Sequence, residues 1–386
     1  MAVRYQVGVA RCAGYEWDET LPAVRSAIRN AVGLPSAVAG EVLIKPNLLS
    51  PSSPEQAVTT HPRIIQALIA ELLESCTSSA PVSIHVSDSP GYVYTDGAAL
   101  LAKTGMAEVV EMCPATAGTL SDRGYRTVCN ADGAVLREPR LSNRYLDTAY
   151  CVNVAKLKTH VETEISCCLK NLFGAADTAT RKSAHRSRSQ KHLANAIIDI
   201  FCAKPPTFNI VDAIVGMEGD GPSHGRPRHA GWVIAAENAL AADWTAAIMM
   251  GYRDPLAIPL IREAARRGLG PKSAGAIKLI GADWADLPVR GFVRSSGALR
   301  LVPTFLRGLA HGIVKLRPKL ETTRCVNCGI CREVCPVEAI RGGRDYPEIN
   351  MLVCVGCLCC HEMCPAGAVA VERNLAARIV GRLSGD

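Results

Sequence analysis

The chain has 386 residues, of which 48% are hydrophobic and 20% are charged, a balance typical of folded proteins and unlike that of disordered chains. Its formal net charge of +7 is modest for this length, so it permits an anionic substrate or an acidic partner without requiring nucleic acid. The sequence contains no run of about 18 apolar residues that would predict a membrane span, and its first residues resemble a strand rather than a secretory signal.

Short apolar runs alternate with helical patterns over residues 1–290, which predicts an α/β fold: a parallel or mixed sheet with flanking helices. The predicted strands are Val3–Arg11, Glu41–Lys45, Val82–Val86, Tyr150–Val154, Phe208–Val215, Trp232–Ala235 and Ile277–Ile280. The predicted helices are Asp18–Val32, His61–Glu74, Gly97–Met112, Glu164–Phe173, Ala194–Phe201, Leu240–Met250 and Ile258–Arg267. Residues 116–146 are mixed and rich in turns, which indicates an excursion of β-structure.

Polar side chains follow several of the predicted strands. In open α/β sheets, ligands bind beyond the carboxyl ends of the strands, so we expect these side chains to line one crevice. The predicted substrate-binding residues are Lys45, Asn47, Asp88, Lys170, Asn171 and Glu218. The alternative for each of them is a solvated loop residue.

The predicted catalytic residues are Lys156, Lys158 and His160. If their strand stays extended, its two-residue period places all three on one face. Two adjacent ammonium groups repel each other unless an anion or carboxylates lie between them. We therefore expect the two lysines to hold a carboxylate or phosphate. We expect His160, whose pKa neighbouring cations lower, to protonate the product.

Nine of the 17 cysteines lie near the C-terminal end, in two runs that begin at Cys325 and Cys354 and share the spacing C-x2-C-x2-C-x3-C-P. This segment resembles the bacterial two-cluster ferredoxins, in which the last cysteine of each run binds the cluster of the other run. The resemblance implies two [4Fe–4S] clusters. Their ligands are Cys325, Cys328, Cys331 and Cys364 for the first, and Cys354, Cys357, Cys360 and Cys335 for the second. Cys359 falls outside the spacing. The alternative is a zinc site, because C-x2-C pairs also bind zinc.

Four further segments resemble the DUF362 family, an uncharacterised domain that is often joined to a ferredoxin module. They are Ile44–Leu48, Val154–His160, Leu169–Gly174 and Asp212–Pro222. The resemblance implies no reaction. Together with the cysteine runs it predicts an α/β DUF362-like domain at 1–290, a basic amphipathic linker at 291–320, a small ferredoxin-like α+β domain at 321–375 and a tail at 376–386.

Three other patterns carry weaker predictions. Asp88, Asp212 and Asp243 offer the carboxylates that a divalent cation prefers, although their spacing matches no known ligand pattern. Residues 219–225 resemble a dinucleotide fingerprint, but prolines lie where its helix has to begin. Residues 180–192 are basic and rich in serine without aromatic residues, which favours a solvated loop, or a lid over an anionic ligand, over a site for nucleic acid.

These features predict a cytoplasmic iron–sulfur oxidoreductase. Low-potential electrons pass from a redox partner protein through two [4Fe–4S] clusters to an anionic small molecule, and the scattered unpaired thiols indicate a reducing compartment. The alternative is a non-enzymatic electron carrier or maturation factor. A crevice that opens towards a cluster favours the enzyme, whereas a flat exposed surface near Cys357 favours the carrier. The basic linker favours docking between the domains over binding to an anionic membrane surface.

Overall fold

The structure is a computed structural model that describes residues 4–34, 40–75, 82–91, 93–187, 189–295 and 316–373. Its first eleven strands are β1 (Tyr5–Arg11), β2 (Gly40–Lys45), β3 (Val82–Asp88), β4 (Ala115–Thr119), β5 (Tyr125–Thr127), β6 (Arg140–Ser142), β7 (Tyr150–His160), β8 (Glu164–Ser166), β9 (Phe208–Glu218), β10 (Arg226–Ala236) and β11 (Ile277–Ile280). Strands β5 and β6 pair only with each other, and the other nine of these described strands form one mixed sheet.

Ten helices of the described residues accompany this sheet. They are α1 (Trp17–Ala31), α2 (Pro62–Ser75), α3 (Gly97–Lys103), α4 (Met106–Met112), α5 (Asn143–Asp147), α6 (Cys168–Asn171), α7 (Thr178–Ala184), α8 (Gln190–Ala203), α9 (Ala239–Met249) and α10 (Pro259–Arg266). The predicted α/β class with a mixed sheet and flanking helices is confirmed.

The order of the sheet places the ends of its central strands at one edge. The order is β11-β1-β10-β9-β7-β2-β3-β4, with β8 paired to the end of β7. Of the described strands in this sheet, only β8 and β10 run antiparallel to the rest. The carboxyl ends of β2, β3, β7 and β9 therefore meet at the same edge, where an α/β sheet binds its ligands.

Alternation along the central strands divides the core into two layers. In β2, Val42 and Ile44 pack against α1 and α2 on one face. Leu43 packs on the other face, in the cluster that includes α8, α9 and α10. Successive side chains of a strand point to opposite faces, so one buried apolar strand supplies both layers and holds its own end in a fixed position.

Three predicted elements differ from the structure. The strand predicted to end at Val154 continues to His160, because all eleven residues of β7 are buried. The helix predicted for Glu164–Phe173 is wrong at its start, since Glu164–Ser166 pairs with β7 and α6 covers only Cys168–Asn171. The predicted helix Gly97–Met112 is divided in two by Gly105, whose left-handed φ of 73° interrupts it.

The C-terminal part contains two short antiparallel pairs and two one-turn helices. Its elements are β12 (Leu316–Leu320), paired with β15 (Val369–Arg373), β13 (Ile340–Gly342), paired with β14 (Pro347–Ile349), and the helices α11 (Ile330–Glu333) and α12 (Cys359–Glu362). The predicted basic linker and tail fall largely on residues 296–315 and 374–386, outside the described residues. No helix in the described part of the chain is long and apolar enough to cross a membrane.

We expect Gly8→Ala to destabilise the fold. A Cβ at Gly8 in β1 would lie 2.1 Å from the carbonyl oxygen of Ala27 and 2.5 Å from the amide of Ala31 in α1. Forcing an atom into such a contact costs about 1–3 kcal/mol of unfolding free energy, which chemical denaturation measures. Gly275→Ala is the control, because that position is exposed and its nearest neighbouring atom lies 3.9 Å away. Equal stability of the two variants would contradict the close packing of β1 on α1.

Candidate functional site

Two buried lysines at the edge of the sheet are each neutralised by an aspartate on the adjacent strand. Lys45 ends β2, and its Nζ lies 2.6 Å from Oδ1 of Asp88 at the end of β3. Lys156 on β7 is the direct register partner of Asp212 on β9, and its Nζ lies 2.8 Å from Oδ2 of that residue. A buried charge is tolerated when it is paired and hydrogen-bonded, so both pairs form part of the framework of the site.

Two aromatic residues that the sequence analysis did not identify complete the Asp212 pair. The hydroxyl of Tyr15 donates to Oδ1 of Asp212 at 2.8 Å, and the backbone amide of His61 donates to Oδ2 at 2.9 Å. The two rings stack with centroids 3.6 Å apart. Burial lowers the pKa of His61 to about 4, and burial and then Asp212 raise the pKa of Tyr15 well above its usual value. Both side chains are therefore neutral around the carboxylate at neutral pH.

Asn171 connects the strand ends through its side-chain amide. Its Nδ2 donates to Oδ1 of Asn153 at 2.8 Å and to the backbone carbonyls of Lys45 and Pro46, both at 3.3 Å. Its Oδ1 accepts from Nδ2 of Asn47 at 3.1 Å. The side-chain oxygen of Asn47, Oδ1, is buried and has no hydrogen-bond partner among the described residues. Asn171 thus fixes Asn47 so that an acceptor remains for a ligand.

Lys158 differs from the other two lysines. It is 1% exposed, and its Nζ donates to the backbone carbonyl of Val58 at 2.8 Å. No carboxylate of the described residues forms an ion pair with it, in contrast to Lys45 and Lys156. Burial, and after it the charge of Lys170, lower the pKa of Lys158 to about 7. Near neutral pH this amine is therefore divided between its charged and uncharged forms.

His160 is held as one neutral tautomer. Its Nδ1 accepts from the backbone amides of Glu162 at 3.0 Å and Thr163 at 3.3 Å, so the ring hydrogen is assigned to Nε2. Burial first, and then Lys170 and other neighbouring cations, lower the pKa of His160 well below its usual value. The Nε2 atom lies 3.7 Å from Oε2 of Glu362, in the second cysteine run.

Two adjoining pockets lie beyond the strand ends. The first, of about 280 Å³, is lined by residues that include Lys156, Lys158, Lys170 and Asn171. The second, of about 590 Å³, has Lys170 and Asn171 in its wall together with Asp88 and the segment around α7. Because both also share Asn47 and Glu362, we treat them as one space, the crevice.

The C-terminal part of the chain forms one wall of the crevice. Glu362 of α12 borders both pockets, and Cys359 and Met363 border the larger one. The close approach requires Gly91, where a Cβ would lie 2.3 Å from the sulfur of Met363. The crevice therefore opens towards the second cysteine run.

The other predicted site residues lie behind or away from this space. Lys45 is fully buried and does not line the crevice. Its ion-pair partner Asp88 lines the larger pocket. Glu218 is occupied elsewhere: its Oε1 accepts from Nε of Arg226 at 2.8 Å and its Oε2 accepts from the backbone amide of Val293 at 2.8 Å. Among the described residues that line the two pockets, Glu218 is absent.

The described residues of the basic segment, 180–187 and 189–192, are largely helical rather than a solvated loop. It contains most of α7 and the start of α8. Nη1 of Arg181 donates to the carbonyl of Pro90 at 2.8 Å, and His185 lies 3.2 Å from Glu162. Burial opposes the charged form of His185, but the carboxylate of Glu162 outweighs it and raises the pKa. Arg181 and His185 both line the larger pocket and add to its cationic character.

The three aspartates weighed as metal ligands have separate partners. Asp243 accepts from the backbone amides of Cys168 at 2.6 Å and Leu169 at 3.1 Å, and so holds the start of α6. Ligand atoms of Cys167, Cys168 and Asp243 lie within 4.8 Å of one another. Both carboxylate oxygens of Asp243 already accept these two backbone hydrogen bonds, and burial raises the pKa of both thiols.

The two cysteine runs adopt the same local structure. Gly329 and Leu358, at equivalent positions, both have a left-handed φ immediately before α11 and α12. The last cysteine of each run accepts a backbone hydrogen bond at 3.2 Å, Cys335 from Ala339 and Cys364 from Ala368. Amide hydrogen bonds to sulfur are one of the means by which proteins set the potential of iron–sulfur clusters.

The arrangement of the thiols fits cluster binding across the two runs. Cys325, Cys328, Cys331 and Cys364 all line one pocket of about 320 Å³. Burial raises the pKa of Cys360, and after it the nearby Cys357, Cys354 and Cys335 raise it further. Four converging thiols are the donor set of a [4Fe–4S] cluster.

The chain matches two families. It matches the family described as "Domain of unknown function (DUF362)" over residues 42–248, which is more than half of its length. It belongs to the DUF362 family. A 4Fe-4S binding domain matches over residues 318–341, which contain the first cysteine run. The family resemblance found in the sequence is confirmed, and the C-terminal part is an iron–sulfur, ferredoxin-like electron-transfer domain.

Two similar proteins provide further context. This member of the DUF362 family is 26% identical over 272 residues to the thylakoid-associated protein sll1697 of Synechocystis sp., covering 69% of this chain and 81% of that protein. Its structure overlaps that of the lactate racemase apoprotein from Thermoanaerobacterium thermosaccharolyticum with a TM-score of 0.38 and 14% identity. That overlap covers 58% of this chain and about half, 53%, of the other, and is too weak to transfer function.

We expect Lys158→Met to remove a pH-dependent part of the stability. The pKa of Lys158 is about 7 in the folded protein and about 10.4 in an unfolded chain. Between these values the unfolded state binds more protons, so the free energy of unfolding rises with pH, by at most about 1.4 kcal/mol per pH unit. Below the folded pKa both states hold the proton and the slope disappears.

Urea denaturation at several pH values from neutral to moderately alkaline measures this slope. The free energy of unfolding of the protein should rise relative to that of Lys158→Met as the pH rises. Lys278→Met is the matched control, because Lys278 is exposed on the edge strand β11 and should leave the slope unchanged. Parallel curves for the protein and Lys158→Met would show that the pKa of this amine is not lowered.

Proposed function

We propose that this protein is an iron–sulfur reductase that delivers electrons through two [4Fe–4S] clusters to an anionic small molecule in the crevice. One observation carries the proposal. The crevice has lysines of the sheet edge on one side, and on the other side Glu362, Cys359 and Met363 of the second cysteine run. A ligand held by the lysines is therefore beside Cys359, the chain neighbour of Cys360, which is proposed to hold a cluster.

The two runs differ in exposure, which supports a direction for the electrons. In the first run Val326, Asn327 and Cys328 are exposed, whereas in the second Cys359 and Cys360 are buried against the sheet domain. Bound [4Fe–4S] clusters supply single electrons at low potential. We infer that a redox partner protein donates at the exposed first run and that the second run faces the substrate.

The crevice suits a small anion. Lys170 lines both of its pockets and forms no ion pair with a described residue, so its charge can balance a ligand's acid group. Three buried polar atoms of residues in the walls of the crevice have no hydrogen-bond partner in the described chain: Oδ1 of Asn47, Oγ of Ser89 and Oγ of Ser166. Such atoms are costly unless a ligand or water satisfies them.

His160 lines neither pocket of the crevice, and its Nε2 atom lies 3.7 Å from Oε2 of Glu362, which lines both. Since its tautomer is fixed with the hydrogen on Nε2 and its pKa is lowered, the ring is an uncharged donor beside that carboxylate. In this proposal His160 positions Glu362 in the wall of the crevice. The charge of Lys156 is already balanced by Asp212. Lys156 therefore forms part of the wall but does not neutralise the charge of the anion.

The alternative is a carrier that passes electrons to a partner protein, and the exposed first run is compatible with it. The burial of the second run beneath a polar crevice supports the enzyme instead. Attachment to a membrane surface through the basic linker is the lesser alternative. The thylakoid association named for the Synechocystis protein is the observation that favours it.

We expect anaerobically purified protein to contain about eight irons per chain, four for each of two clusters, and to show two magnetically interacting signals in the EPR spectrum after reduction. Cys360→Ala should lose iron and one signal, because Cys360 is assigned as a ligand. Cys359→Ala should keep both, since the neighbouring Cys359 falls outside the ligand spacing. Zinc in place of iron, or four irons in the unaltered protein, would contradict the two-cluster assignment.

We expect Lys170→Ala to slow electron delivery to small anions. The dithionite-reduced protein is mixed anaerobically with pyruvate, 2-oxoglutarate, fumarate or nitrite, and reoxidation is followed by the visible absorbance of the clusters. Removing a charged hydrogen bond to the ligand should weaken the reaction with a productive anion by about tenfold to a hundredfold.

Lys278→Ala is the matched control for charge, and the iron content of both variants should equal that of the unaltered protein. If the anion reoxidises Lys170→Ala at the unaltered rate, the crevice is not where the anion binds. If none of the anions reoxidises the protein while a reduced partner protein exchanges electrons with it, the carrier function replaces the reductase.

A further inference from the structure

Three lysines of the sheet edge are buried to the same degree but not in the same chemical state. Lys45, Lys156 and Lys158 are each at most 1% exposed. The first two lie 2.6 Å and 2.8 Å from an aspartate. Among the described residues, the hydrogen-bond acceptor of the Lys158 Nζ atom is the backbone carbonyl of Val58 alone. Aspartates of the sheet thus neutralise Lys45 and Lys156. Lys158, which lines the smaller pocket, has no ion pair with a described carboxylate.

The surroundings of Lys158 favour the uncharged amine. Burial penalises the ammonium form, and Lys170, in the wall of the same pocket, adds repulsion. The charged and titratable groups that act on this nitrogen or face it are Lys156, Lys170, Asp88, Glu362 and His160. The net result is a pKa of about 7. A lysine that loses its proton near neutral pH is a nucleophile, which an ordinary exposed lysine is not.

We propose that Lys158 is a nucleophilic lysine that forms a Schiff base with the carbonyl carbon of an oxo acid bound in the crevice. The proposal rests on the proposed function in one respect, that the crevice is the ligand site. Lys170 balances the acid group, and Oδ1 of Asn47, an acceptor in the wall of the same pocket, can accept from the hydroxyl of the carbinolamine that precedes the Schiff base. The substrate class is accordingly a small carboxylate with a ketone or aldehyde group.

The chemistry balances without a further reactant. The lone pair on Nζ forms a bond to the carbonyl carbon, and the π electrons of the C=O bond move to oxygen, which takes up a proton. Nitrogen loses one proton, which gives the carbinolamine. The hydroxyl then takes up a second proton and leaves as water while nitrogen loses its other hydrogen and C=N forms, so the two protons gained by oxygen balance the two lost by the amine. Protonation of the imine nitrogen gives the cationic form.

The covalent link restricts which bond is reduced. Electrons that entered the C=N bond would leave the ligand attached to Lys158 as a secondary amine. Turnover therefore requires that two electrons and two protons add to a carbon–carbon double bond conjugated with the imine. Hydrolysis then returns the saturated oxo acid and the free lysine. This narrows the expected substrates from anions in general to unsaturated oxo acids.

Reductive trapping tests the proposal on the intact, iron-loaded protein. The protein is incubated anaerobically with pyruvate or 2-oxoglutarate and sodium cyanoborohydride, then digested, and the modified peptide is identified by mass spectrometry. We expect one adduct per chain, at Lys158, with a rate that rises through pH 7 and then levels off. Lys158→Arg should abolish the adduct, whereas Lys278→Arg should retain it.

Adducts spread over exposed lysines, or an unchanged adduct in Lys158→Arg, would overturn the proposal. Mapping the adduct in the unaltered protein needs no variant, so the test holds even if Lys158→Arg folds poorly. Different results would disprove the Schiff-base proposal and the reductase proposal. Reoxidation of the reduced clusters by an unsaturated oxo acid that forms no adduct would disprove the Schiff base and leave the reductase standing. An adduct at Lys158 without reoxidation by any unsaturated oxo acid would do the opposite.

Discussion

The pairing of buried lysines with aspartates across adjacent strands is the constraint on which the site depends. An ammonium group taken out of water is tolerated only when a carboxylate and hydrogen bonds replace its hydration. Lys156 meets this condition through Asp212, its direct partner in the register of β7 and β9. A shift of one residue in that register would turn the side chains of β7 to opposite faces. The pairs thus fix the strand ends from which the crevice is built.

The second constraint is the asymmetric use of two nearly identical cysteine runs. Both have the same turns and the same amide-to-sulfur hydrogen bonds. They differ in where the sheet domain contacts them. Leu49 and Tyr94 join the small core of the C-terminal part, and His224 contacts the carbonyl of His361 at 2.8 Å in the second run. In the first run the contacts are at its end, where Lys182 donates to the carbonyl of Glu333 at 2.7 Å. Sequence repetition yields two cysteine runs of similar local structure, and docking places part of the second beside the crevice while Val326, Asn327 and Cys328 of the first remain exposed.

Some of this arrangement could be predicted from the sequence. Strand periodicity placed Lys156 and Lys158 together, and both line one pocket. The partner of Lys156 could not be predicted, because it depends on the register between strands far apart in the chain. Tyr15 was missed for the same reason, since it lies 197 residues from Asp212 in the sequence.

The local sequence pattern gave wrong predictions where contacts between distant parts of the chain decide the structure. The segment Glu164–Ser166 appeared helical by periodicity but pairs with the end of β7. Glu362 was overlooked because its surroundings in the cysteine run suggest only a surface carboxylate. Its place in the crevice arises from the docking of two domains, which no single stretch of sequence encodes. Glu218 was selected for its position at a strand end, yet Arg226 and the amide of Val293 occupy it.

The shared wall of the crevice has a consequence for how the protein responds to oxygen. Small metal-binding modules owe much of their folding free energy to the metal, so a module stripped of iron loosens. The wall formed by Glu362 and Met363 would then be lost, and the ligand site with it. If the crevice binds the proposed anion, cluster loading and ligand affinity strengthen each other by linkage. In that proposal a molecule damaged by oxidation releases its ligand rather than holding it in a site that can no longer receive electrons.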